Sequence, residues 1–140
     1  MSRQLIVRLF SLGIAAALLL GLGWRLLNIY GAPRMDLAEY REPTREFLNA
    51  AASQDSLGLV QLASSAEVVG WGLDLARRDA SLLHRLQRAV PSSAKRARGA
   101  TLVWYSVPGT AECSTWPLAI SFTGSGRDLR VEHVSVSCER

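Results

Sequence analysis

Cysteine and histidine are scarce in this chain. Its 140 residues include two of each: Cys113, Cys138, His84 and His133. A disulfide-dense miniprotein is thereby excluded, and little is left to build a metal site. Aromatic residues make up only 7%. No phosphate-loop, dinucleotide-binding or zinc-ligand spacing occurs along the chain. No Ser–His–Asp or Cys–His grouping can be assembled. Glu112, Asp128 and Glu132 fall in expected turns or polar strand positions, which gives paired-carboxylate chemistry no support. No catalytic residue, metal ligand or cofactor is expected, and an enzyme is not the favoured reading.

What is abundant is apolar surface. Hydrophobic residues make up 49% and charged residues 20%, enough for one buried core at this length. Part of that apolar content is concentrated at the start. Arg3 and Arg8 precede a charge-free run of 16 residues, Leu9 to Trp24, closed by Arg25. As a helix the run spans about 24 Å, against ~30 Å for a hydrocarbon core. With Arg8 and Arg25 snorkelling, Leu5 to Tyr30 reaches across. Residues 1–30 are therefore expected to form a transmembrane anchor, or a signal segment cut after Gly23. Gly13, Ala17 and Gly21 form a small-residue stripe suited to contact with another membrane helix. The basic-residue count on the two sides favours a cytoplasmic domain, whereas the order basic, apolar, small favours export. Export is the expectation, to the periplasmic side of a bacterial-type inner membrane.

Residues 31–43 read as a polar linker, and a domain is expected over 44–140. A first helix starts near Pro43 or Thr44, carries Phe47, Leu48 and Ala51 on one face, and ends near Ser53. Asp55 or Ser56 caps a short helix with Leu59, Val60 and Leu62. Ser64 and Glu67 have capping-box spacing ahead of a helix that runs to Ala76 and contains Gly70 and Gly72. Asp79 caps a helix from Ala80 to Val90, with Leu82, Leu83 and Leu86 inward and His84 outward. Pro91 stops it.

Between Arg77 and Arg98 lie seven basic residues and one acid, Asp79. Arg78, Arg85, Arg88, Lys95, Arg96 and Arg98 are candidates for a basic interaction face toward an anionic membrane or protein. Nucleic acid is not the expected partner, because no aromatic side chain is interleaved to stack on bases. A solvated helix face followed by a polar loop, Pro91 to Gly99, is the alternative.

After Gly99 the period changes to two. Thr101–Val107, Pro117–Thr123 and Leu129–Cys138 read as antiparallel strands, with a bulge near His133 where the apolar parity switches. If Thr123 pairs with Asp128 across a four-residue loop, the same register sets Cys113 opposite Cys138. A disulfide is then within reach, on condition of export.

Helices followed by an antiparallel sheet of about three strands is an α+β arrangement. Within it, Phe47–Leu62 (FLNAAASQDSLGLVQL) resembles the opening of the nuclear-transport-factor-2-like (SnoaL-like) superfamily. Phe47, Ala50 or Ala51, Asp55, Leu59 and Leu62 stand in the places of that family's first two helices. The resemblance implies a curved sheet and an apolar pocket bounded by Trp71, Trp104 and Phe122, with His133 as its polar group. The acid and tyrosine residues of the isomerase members have no counterpart here.

Three readings remain at this stage, one of them an exported domain released by cleavage after Gly23 with no helix partner. A second is a non-enzymatic, membrane-anchored accessory or assembly subunit, with lipid and other membrane protein subunits as partners. Another is a small-ligand-binding or SnoaL-like pocket protein of the cell envelope, a binder or an enzyme.

Overall fold

The computed structural model describes residues 13–14, 16–25, 35–109 and 117–137. The chain divides into two compact units, Met1–Met35 and Asp36–Arg140.

In the first unit the described residues from Gly13 to Arg25 are helical. No helix among the described residues is long and apolar enough to cross a membrane. This overturns the expected transmembrane anchor, and with it the membrane, single-pass and signal-anchor readings. The physical reason is length. The charge-free run of 16 residues falls several ångströms short of a hydrocarbon core. Gly13, Ala17 and Gly21 do lie on this helix and are exposed.

The second unit opens with a 3-10 turn, Leu37–Tyr40, inside the stretch expected to be linker. Four helices follow: α1 (Arg41–Ala52), α2 (Ser56–Leu62), α3 (Ala66–Arg78) and α4 (Ala80–Leu86). Three of them start on a side-chain cap. Asp55 accepts from the Gly58 N–H, Ser65 from Val68 and Asp79 from Leu82, each relieving an orphan donor. The cap of α3 is thus Ser65 and not Ser64. The Ser64 N–H instead donates to the Val131 carbonyl at 2.8 Å.

The sheet has four antiparallel strands in the order β1-β2-β3-β4, not about three. They are β1 (Val90–Ala97), β2 (Ala100–Ser106), β3 (Leu118–Thr123) and β4 (Arg130–Val136). The additional strand is β1, where a polar loop was expected. Its sequence, VPSSAKRA, has no apolar alternation because it is an edge strand. A proline at its start, a bulge between Pro91 and Ser93 and two cations are common ways to blunt an edge against further pairing. Arg98 and Gly99, both at positive φ, close a two-residue hairpin between Ala97 and Ala100. Along the other edge, Ala63 bridges Val131 in parallel.

The register of β3 and β4 also differs from the expected one. Thr123 pairs with Arg130, because a six-residue loop with a 3-10 turn at Gly126–Asp128 replaces the four-residue loop. The parity switch has its cause in a bulge. Ser121 pairs with His133 and Phe122 with Val131, so Glu132 is the extra residue.

Within Asp36–Arg140 the described helices pack on one face of the sheet. Val103, Tyr105, Leu118, Ile120, Phe122, Val131 and Val134 point inward, against Phe47, Leu48, Leu59, Leu75, Leu82, Leu83 and Leu86. Gly72 lets α3 approach closely: a Cβ there would lie 3.4 Å from Ala51 Cβ. One polar cluster sits within this core. The Thr44 hydroxyl donates to the Tyr40 carbonyl at 2.7 Å and lies 2.5 Å from the Tyr105 hydroxyl. Since threonine has a single proton to give, the Tyr105 phenol donates to it. Burial, with a smaller contribution from Tyr40, pushes the Tyr105 phenol well above the usual tyrosine range, against the opposing effect of the Thr44 hydrogen bond.

Candidate functional site

The four residues expected to bound a pocket do not meet in one. Phe122 is 1% exposed in the core, and Trp71 stacks on Phe47 with ring centroids 6.3 Å apart. Trp104 and His133 belong to the opposite face of the sheet, on which no described helix of Asp36–Arg140 packs. Trp104 is half-buried and His133 exposed. Strand alternation causes the split, since Trp104 has the opposite parity to Val103 and Tyr105. Between helices and sheet lie buried side chains, among them Tyr105, Phe47 and Leu48 at 0% exposure.

This outer face has its own character. Ser93 pairs with Trp104, Trp104 with Ala119 and Ala119 with Ser135, giving one row across four strands. The adjacent row is Lys95, Leu102, Ser121 and His133. Leu102 and Trp104 are half-buried, and their immediate neighbours are mostly small. Glu132 accepts a hydrogen bond from the Ser121 hydroxyl at 2.9 Å. Lys95 and Arg98 lie toward one edge, and Arg130, opposite Thr123, toward the other.

The expected basic face does not assemble as a unit. Arg78 pairs with Asp74 at 2.8 Å on the surface of α3. Arg85 is half-buried, its Nε enclosed without a partner among the described residues. Arg88 lies in the turn after α4, while Lys95, Arg96 and Arg98 gather at the far end of β1. The seven residues from Pro91 to Ala97 span about 20 Å at ~3.3 Å each. Consecutive sequence had suggested one stripe, and the extended strand separates its halves. His84 is exposed, with Nδ1 3.2 Å from Gln87 Oε1.

Arg88 does gain neighbours from elsewhere. A cleft of about 100 Å³ between α1 and the α4–β1 turn is lined by Arg41, Arg45 and Arg88 over a floor that includes Leu48 and Leu86. The sequence reading passed over Arg41 and Arg45, because acids on either side nearly cancel their charge. The helical spacing i, i+4 was the available signal, since it places both on one side of α1. On another side of α1, an open groove is lined by Glu46, Asn49, Ser53, Asp55 and Gln61. Across Asp36–Arg140, twelve basic and twelve acidic residues balance, so these opposed clefts are local features and not an overall field.

Cys113 and Cys138, expected to form a disulfide, lie outside the described residues. No cluster of three or more metal-ligating side chains occurs among the described residues. Comparison of the chain with protein-family models, with curated proteins and with solved structures gives no match.

Proposed function

We propose that Asp36–Arg140 is a non-catalytic docking module and that the outer face of its sheet receives the partner. The observation that carries this reading is the one-sided coverage of the sheet. The described helices of Asp36–Arg140 fill the inner face, while the outer face carries the half-buried Trp104 and Leu102 among serines and alanines. A tryptophan in a setting of small residues is the kind of anchor that dominates protein interfaces. Lys95, Arg98 and Arg130 give the face a basic rim. The matching occupant is a protein surface that is apolar at its centre and acidic around it. The likeness to the nuclear-transport-factor-2-like superfamily is kept within this proposal.

The test is co-purification of the tagged full chain from native extract, with Trp104→Glu and Lys95→Glu as variants. A stoichiometric companion should be retained by the wild type and lost with Trp104→Glu. It should be held more weakly, and with reduced salt sensitivity, by Lys95→Glu. Unchanged companions in both variants would remove the sheet face from consideration. Lys95 is exposed, so its result is free of folding effects.

A further inference from the structure

The cleft between α1 and the α4–β1 turn has features the docking proposal does not use. Arg41 and Arg45 reach it from successive turns of α1, and Arg88 from the opposite wall. No acidic residue lines it. Glu42 pairs with Arg45 from outside, but both side chains are more than half exposed, at 61% and 56%. Such a pair is weak and readily exchanged. Arg41 and Arg88 form no ion pair among the described residues. Like charges around one cleft work against folding unless something offsets them.

The walls are fixed in place. Leu48 and Leu86 are fully buried beneath the cleft. The Gln87 side-chain amide donates to Asn49 Oδ1 at 2.9 Å, tying the turn to α1. The Arg88 N–H donates to the Arg85 carbonyl at 3.1 Å, and Ala89 to Leu86 at 2.9 Å. Only the arginine side chains need to adjust when a ligand arrives.

From this arrangement we infer that the cleft is a binding site for a phosphate group, free or as a monoester. The planar guanidinium fork matches phosphate oxygens two at a time. The cleft volume of about 100 Å³ leaves room for one tetrahedral oxyanion between the three guanidinium groups. A dianion answers three cations better than a single carboxylate does. This site is separate from the sheet face and does not depend on its role.

The test is calorimetric titration of the full chain with inorganic phosphate and with phosphoserine, at low ionic strength where screening is slight. Acetate at matched ionic strength is the control. Saturable binding of phosphate, tighter than acetate, is expected. Arg41→Gln and Arg88→Gln should each weaken it at least tenfold, with unchanged circular dichroism. Arg127→Gln, an exposed arginine in the β3–β4 loop, should leave it unaltered. Tighter binding of phosphoserine assigns the site to a monoester; equal or weaker binding assigns it to free phosphate. Either outcome supports the site. Absence of saturation overturns the inference, and so does an equal loss in Arg127→Gln, which would show general charge attraction only.

Discussion

The two faces of the sheet are made from the same strands, yet they obey different rules. On the inner face Val103, Tyr105, Leu118, Ile120 and Phe122 are almost wholly buried, each against helix residues. On the outer face the alternate positions of the same strands are Leu102, Trp104, Ala119, Ser121 and Thr123, all half-buried. Alternation places the two sets one residue apart in sequence and on opposite sides in space. The inner set is bulky because helices must pack there. The outer set is small apart from Trp104 and Leu102, and no described helix of this unit packs on it. Stability should therefore reside on one face and recognition on the other.

The sharpest way to break this comparison is a pair of truncations. Phe122→Ala should destabilise the domain by about 3–5 kcal/mol, the usual cost of emptying a buried aromatic site. Phe122 also packs on Tyr40 with centroids 5.3 Å apart, so the loss extends to the 3-10 turn. Trp104→Ala should cost less than half as much, because the side chain is only half-buried. Urea midpoints of the two variants give the answer directly. Equal losses would mean that the faces do not divide their roles.

The next effect belongs to the one polar cluster on the inner face. Thr44→Val keeps the shape but removes the hydroxyl to which the Tyr105 phenol donates. That leaves the phenol only the Tyr40 carbonyl, at 3.4 Å. An unsatisfied buried hydroxyl costs about 1–3 kcal/mol. Tyr105→Phe removes the needy group itself and should cost less than Thr44→Val. If the order is reversed, the cluster is not acting through hydrogen-bond satisfaction.

The same phenol makes stability depend on pH. Its ionisation is raised in the folded chain by burial, while in the unfolded chain it ionises near its ordinary value of about 10. Below that pH both states hold the proton and no dependence arises. Above it the unfolded state loses the proton first, so stability falls as pH rises. The slope approaches about 1.4 kcal/mol per pH unit. Unfolding midpoints followed upward from pH 9 should show this decline, and Tyr105→Phe should flatten it.

How far the sequence alone carries is itself uneven, and the reasons are physical. Helix starts are written locally: Asp55 and Asp79 cap where their spacing said they would. The bulge beside His133 was visible as a break in apolar parity. Edge strand β1 was not visible, because an edge needs proline and charge where an inner strand needs alternation. The β3–β4 register was missed by two residues at Thr123, since the 3-10 turn in its loop leaves no periodic trace. The N-terminal run reads as a span only if snorkelling by Arg8 and Arg25 makes up its missing length, and no helix among the described residues is long and apolar enough to cross a membrane. The pocket expected from Trp71, Trp104, Phe122 and His133 combined residues without asking which face each occupied. The arginine cleft joins residues more than forty positions apart, which no local pattern reveals.

The smallest expected effect sharpens the comparison on α3, where two glycines sit two residues apart. Gly70 is exposed, and a Cβ there would meet nothing within 4 Å. Gly70→Ala should stabilise the domain by about 0.5–1 kcal/mol, through helix propensity alone. Gly72 is buried, and its added Cβ would stand 3.4 Å from Ala51 Cβ and 3.5 Å from Leu59 methyl groups, at the near limit of ordinary contact. Gly72→Ala should gain less than Gly70→Ala, because the packed helices must yield slightly to accept it. Melting temperatures of the two variants measure the difference. If Gly72→Ala is the more stable of the two, the inner face is looser than its burial implies. The separation of a rigid inner face from a receptive outer one would then need to be redrawn.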